Sequence, residues 1–320
     1  MTLPANRVPT VFSVSKIGDD EPGAGKVTPS HALPLVVMAV VVIVWGLGPP
    51  TTKLVTAPPL IGTFVRFGIS SPLLIVVLAA RRRVLSRKVF IATALPGLSF
   101  GINLVFVFAT LQEATVSVLS TVVAMQPALL LVLAGPLFHE YPTGRQFTFT
   151  LAGVLGAVGV ILGAGSEIRS SWLGVGLAAL SLVTFTLYFV LTRLARSDNE
   201  VDPIEWMAGI NIWAFLSTII PILLLADRSD WAQFGGNDWI WIVIVAFVTG
   251  VFGHVLMTWL HGHLEAARSS LYILTMHLVA VGLAWWIHDE SITWLQMISG
   301  GVVLLCVALV VTAPDRREVR

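Results

Sequence analysis

Apolar residues gather into ten runs of about twenty, separated by short polar segments that carry Pro, Gly and charge. A helix rising about 1.5 Å per residue needs such a run to cross a hydrocarbon layer about 30 Å thick, so the pattern predicts ten transmembrane helices. Their predicted limits are 33–55, 60–80, 89–111, 114–138 and 146–165, then 172–194, 204–226, 239–260, 269–287 and 291–313. Residues 1–31 are polar, rich in Pro and Gly, and lack the apolar core of a cleavable signal peptide. They are expected to form a disordered cytoplasmic tail, with 314–320 as a second cytoplasmic tail.

The runs repeat. Phe100-Gly101, Glu113-Ala114, Ser117 and Leu119 return as Phe252-Gly253, Glu265-Ala266, Ser269 and Leu271 at a constant offset of 152. Glu140, Thr143 and Gln146 return as Glu290, Thr293 and Gln296 at an offset of 150. The chain therefore reads as two related halves, 32–165 and 172–313, of five helices each. Because five is odd, the second half enters the membrane with the opposite polarity, and the repeat is inverted. Inverted repeats are a recurring plan of secondary transporters, with substrate held between the halves.

Charge fixes an expected orientation. With the N-terminus inside, fifteen of the nineteen Lys and Arg fall in cytoplasmic segments, among them Arg81, Arg82, Arg83, Arg87 and Lys88. Only Arg169 and Arg228 fall outside, while Lys53 and Arg66 lie within helices. Both termini are predicted to be cytoplasmic in a multi-pass protein of the plasma (inner) membrane. Composition agrees with a lipid environment: 56% of residues are hydrophobic and 12% charged, against about 45–50% and 25% in soluble domains. A net charge of +1 without a basic stripe gives no sign of a nucleic-acid partner, and the single cysteine, Cys306, reads as a small buried hydrophobe.

Several of these residues resemble the drug/metabolite transporter superfamily, and within it the ten-helix transporters built from two EamA domains. The matching features are Trp45-Gly46 with Lys53, Arg66-Phe67, Gln126-Pro127, Glu140 before Pro142 to Gln146, and the glycine-rich helix 5. In the second half they are Gly176 through Tyr188 to Arg193, and Glu290. The resemblance covers about 33–313. It implies exporters or exchangers of small metabolites such as amino acids, without a cofactor, and it adds Trp45 and Tyr188 to the candidate binding residues. The chain departs from the family pattern at His277-Leu278, where a proline is frequent, and at Phe185, where Trp is common.

Polar groups placed inside apolar runs are the other candidates. Gly46, Gly48, Pro49 and Pro50 weaken helix 1 and predict a break, with Gly48, Pro49 and Pro50 as a hinge or pocket wall, or else as a simple kink. Lys53 is expected to snorkel to the membrane boundary. Arg66 lies well inside helix 2, where a charge costs roughly 2.5–3.5 kcal/mol on the insertion scale. It would either attract a carboxylate or phosphate on a cargo or bond to backbone carbonyls. Asn103 and Gln126 in the first half, and His254 and His277 in the second, either bond between helices or line a wet cavity.

An ordinary histidine titrates near neutral pH, so a proton or a counter-solute is a candidate coupling partner. His261, His263 and Glu265 crowd one turn but read as boundary residues rather than metal ligands, and Glu140 and Glu290 read as capping or turn residues. Gly153, Gly156, Gly159 and Gly163 suit close packing, either inside the scaffold or at the face of a homodimer. The expected function is that of a secondary transporter of a small metabolite by alternating access. A membrane-embedded enzyme or accessory scaffold is the alternative, for which no reactive cluster is evident.

Overall fold

A computed structural model describes residues 32–126, 129, 133, 144–163, 172–196, 201–260 and 266–311. The tails, the end of predicted helix 4, Glu140, His261, His263 and Glu265 lie outside the described residues. Those described are helical, without strands. In the first half the helices are α1 (Ala32–Gly46), α2 (Gly48–Lys53), α3 (Pro59–Ala80), α4 (Arg87–Ala92), α5 (Ala94–Glu113), α6 (Val116–Val123) and α7 (Gly144–Gly163). The second half contains α8 (Trp172–Arg196), α9 (Pro203–Leu225), α10 (Arg228–Gln233), α11 (Asp238–Ile244), a π-helix (Val245–Phe252), α12 (Gly253–Leu260), α13 (Ala266–His288) and α14 (Trp294–Val311). Among the described residues six spans are long and apolar enough to cross a membrane, and shorter apolar helices accompany them.

Local chemistry sets the ends. Asp202 caps α9 by accepting from the backbone N–H groups of Ile204 and Glu205, with Pro203 in the first turn, where a missing N–H costs nothing. Thr115 caps α6 through the N–H of Val118. Predicted helix 3 is two helices that meet at Thr93, whose hydroxyl turns back to the carbonyls of Val89 and Phe90, while Pro96 in the first turn of α5 has no N–H to return to Ala92. Predicted helix 1 is interrupted at Leu47, whose backbone keeps right-handed helical angles. Pro49 and Pro50 have no N–H to return to the preceding turn. Predicted helix 8 carries the π-helix at its centre, a change of pitch that hydropathy does not register.

Packing obeys the repeat. α1 lies against α13 and α12, while its counterpart α8 lies against α6 and α5. α3 meets the π-helix, and its counterpart α9 meets α5; α3 with α9, α6 with α13 and α7 with α14 pair across the pseudo-axis. Exchanging the halves maps the first pairings onto one another and each cross-axis pairing onto itself. Bonds at the helix ends divide the molecule into two faces. Lys53, Thr56, Asp238 and Glu290 are linked at one, and Arg81, Arg83, Ser86, Asp202 and Glu205 at the other.

Glycines let backbones approach where lipid supplies no hydrophobic drive for association. A Cβ on Gly97 of α5 would lie 2.5 Å from Trp213 Cβ and 2.8 Å from the Ile210 carbonyl oxygen of α9. A Cβ on Gly156 of α7 would meet Val303 of α14 at 2.9 Å, and Gly159 abuts the Ser299 hydroxyl. The glycine stripe of predicted helix 5 thus serves a contact within the chain. Gly97→Val is expected to lower stability by roughly 1–3 kcal/mol. Gly176→Ala, which meets nothing within 4 Å, should leave it unchanged or slightly raised, and thermal unfolding of both variants in one detergent checks the contrast.

Candidate functional site

Five helical segments deliver side chains to one place. Trp45 from the end of α1 lies against His254 of α12, with ring centroids 5.1 Å apart. His254 also meets Phe100 of α5 at 6.2 Å. Phe100 continues to Tyr188 of α8 at 4.9 Å and to Phe67 of α3 at 5.7 Å. Tyr188 in turn stacks with Phe185 at 6.1 Å. The result is a chain of aromatic rings drawn from both repeats.

Arg66 enters the same region from α3. It is only 8% exposed, and it makes no hydrogen bond or ion pair among the described residues. Its guanidinium lies within electrostatic reach of His254, and its carbon is 5.9 Å from the Phe67 ring. A Cβ on Gly250, in the π-helix, would be 3.8 Å from Arg66 Nη2. One turn further, a Cβ on Gly253 would be 2.5 Å from Trp45 Nε1. The Trp45 indole N–H is itself buried and has no acceptor among the described residues. His254 Nδ1 lies 3.2 Å from the Thr249 carbonyl, which only accepts, so Nδ1 carries a proton.

The structure thus brings Trp45, Arg66, Tyr188 and His254 together. Asn103 acts elsewhere: its amide donates to the Ser181 carbonyl at 2.8 Å and to the Ser181 and Thr184 hydroxyls, tying α5 to α8. Gln126, just beyond α6, has a buried amide nitrogen without an acceptor. His277 is half-buried on α13, and neither residue has a described contact with the aromatic chain. The approximate counterpart of Arg66, Asn211, is satisfied by the Ser70 hydroxyl and the Met207 carbonyl. Phe67 and Phe100, absent from the expected set, are apolar and look like any core residue in sequence.

Lys53, expected at the membrane boundary, stands at the helix-end face and has defined partners there: its ammonium bonds to Glu290 Oε1 at 2.7 Å and to the Ala114 carbonyl at 2.9 Å. The same Glu290 oxygen accepts the Val116 N–H at 3.0 Å, so the carboxylate caps α6, far from it in sequence. His288 Nε2 meets the Pro50 carbonyl at 2.8 Å, so α2 and the end of α1 are held by the second repeat at two points. Beside Lys53 opens a cavity of about 410 Å³ lined by Thr56, Pro59, Gln112, Asp230 and Gln233. Val55, which also lines the cavity, belongs to an apolar cluster with Ala57, Phe108 and Ile242, against which Val65 of α3 packs. Arg66 is seven residues past Pro59, roughly 10 Å along the helix.

Residues 32–162 and 172–312 each match the EamA-like transporter family. The chain belongs to that family. Membership makes this EamA-like chain a multi-pass membrane protein and a transporter of the drug/metabolite type. A crystal structure described only as that of a protein is similar with a TM-score of 0.59 at 17% identity, over 87% of the EamA-like chain and 97% of its own, which speaks for the fold alone. A further match, 28% identical over 120 residues, is the heme-binding subunit MsrQ of a protein-methionine-sulfoxide reductase from Ralstonia nicotianae. It spans 34% of the EamA-like chain and 54% of that subunit.

Lys53→Met would strand a carboxylate that is 7% exposed, at an expected cost of roughly 1–3 kcal/mol. Lys53→Met combined with Glu290→Gln should recover most of that loss, since the amide oxygen still accepts from Val116. Unfolding midpoints of the three proteins decide it, and a single variant as stable as the wild type would refute the role given to the pair.

Proposed function

We propose that this EamA-like protein is a secondary transporter that carries a small organic solute by alternating access, with Trp45, Arg66, Tyr188 and His254 in the binding site. The observation that carries this reading is a buried, unpartnered cation among side chains drawn from both inverted repeats. Leaving such a group without a partner is costly in a fold that serves only as a scaffold. It becomes useful when a ligand completes it. Rocking of one half against the other would expose the site alternately to the two faces.

On the face of Lys53 the closed arrangement consists of the Lys53–Glu290 pair above the Val55, Phe108 and Ile242 cluster. Opening that face would require the pair to separate and α2 to leave His288 and Glu290. We assign this face to the outside and both termini to the cytoplasm of the plasma (inner) membrane, because the opposite face holds Arg81, Arg82 and Arg83.

Purified protein in liposomes should exchange at least one solute from a panel of organic acids, amino acids, neutral metabolites and amines, under imposed pH and charge gradients. Counterflow of labelled solute is the readout. Absence of flux and exchange across the whole panel would overturn the carrier reading. In a Cys306→Ser background, cysteines placed at Arg82 and Asp289 should react with impermeant reagents from opposite sides.

A further inference from the structure

We propose, resting on the carrier reading above, that Arg66 and the indole N–H of Trp45 together form a carboxylate site for a small monocarboxylate with a flat apolar body. Two orphan donors flank the same stretch of the second half. Arg66 Nη2 reaches the Gly250 position and Trp45 Nε1 the Gly253 position, three residues apart along the π-helix and the start of α12. A guanidinium offers a planar fork of N–H donors that matches a carboxylate, and an indole adds a single neutral donor. The indole N–H has no acceptor among the described residues, and the guanidinium makes no hydrogen bond or ion pair among them.

Charge selects the class. The site holds one unpaired guanidinium, and the described acidic residues, Glu113, Asp202, Glu205, Asp227, Asp230, Asp238, Asp289 and Glu290, all stand at helix ends or in turns. One buried positive charge is neutralised by a monoanion, whereas a phosphate dianion would bring an excess charge into a dry site. No described carboxylate is in place to receive an ammonium group, so a simple carboxylic acid fits better than the corresponding amino acid. Shape selects the rest: the rings nearest the two donors, Phe67, Phe100, Tyr188 and Trp45, pack on one another here and would offer an opened site apolar faces that favour a flat body.

The two glycines make room for this arrangement. Any side chain at Gly253 would collide with the indole, and one at Gly250 would approach the guanidinium. π-Helical turns are frequent at functional sites, and this one lies against α3 next to Arg66.

The test uses full-length protein and three probes of one skeleton: 3-phenylpropionate, its neutral amide, and phenylalanine. Ligand-induced thermal stabilisation and counterflow are measured in parallel. 3-Phenylpropionate should bind best. Arg66→Gln should weaken it roughly 10- to 100-fold and Trp45→Phe about three- to tenfold, with Arg66→Lys between wild type and Arg66→Gln. The ligand-free Arg66→Gln protein should unfold at the same temperature as wild type or higher, because a cation without a partner has been removed; a structural Arg66 would give a lower one. Equal response to acid and amide, equal response to acid and amino acid, no response to the acid, or unchanged acid binding in a folded Arg66→Gln protein would each overturn the proposal. Transport of other solutes with no carboxylate preference would leave the carrier reading standing without this site. Binding of the acid without movement of any solute would do the reverse.

Discussion

Every backbone N–H and C=O that enters the hydrocarbon layer must find its partner inside the protein, and the rest of this structure follows from that requirement. It makes each span a helix, and it leaves association between helices to close contact rather than to the exclusion of water. Gly97 and Gly101 on α5, and Gly156 and Gly159 on α7, are where that contact is made. The same rule explains the buried polar residues. Asn103, Asn211 and Thr93 each spend their hydrogen bonds on a neighbouring helix or on the preceding turn of their own.

Against that background Arg66 and Trp45 stand out as groups the rule does not satisfy. The asymmetry with the second half is informative. Asn211, near the position equivalent to Arg66, is fully occupied in tying α9 to α3. Two copies of one helical plan have therefore diverged, one toward internal bonding and the other toward an open valence. The Lys53–Glu290 pair belongs to the first kind, since it joins α2 of the first repeat, the start of α6 and the turn after α13 of the second.

Much of this was legible in the sequence because hydropathy and repetition report on lipid and on symmetry. The ten runs, the inverted halves and the separation of Arg81–Arg83 from Lys53 are all written in composition along the chain. Arg66, Trp45, Tyr188 and His254 were visible as polar or amphipathic residues in apolar runs. Asn103 was visible for the same reason but fills an interhelical bond, because a single residue type does not reveal whether an acceptor waits opposite. Phe67 and Phe100 could not be distinguished from lipid-facing phenylalanines. Lys53 and Glu290 are separated by 237 positions, and only the folded arrangement of α2 beside α13 makes them a pair.

The π-helix has a consequence for how a duplicated chain becomes an asymmetric machine. In an α-helix each residue advances the screw by about 100°. Widening the turns between Val245 and Phe252 makes the screw lag, so α12 leaves the segment out of phase with a helix that had continued unchanged. α5, the equivalent helix of the first half, continues as an α-helix through Phe100 and Asn103. His254 faces Trp45 of α1, and Asn103 faces Ser181 of α8, the counterpart of α1, so the two helices meet equivalent partners although only one of them is widened. One altered pitch in one copy thus changes which side chains meet across an interface whose helix pairing keeps its two-fold correspondence.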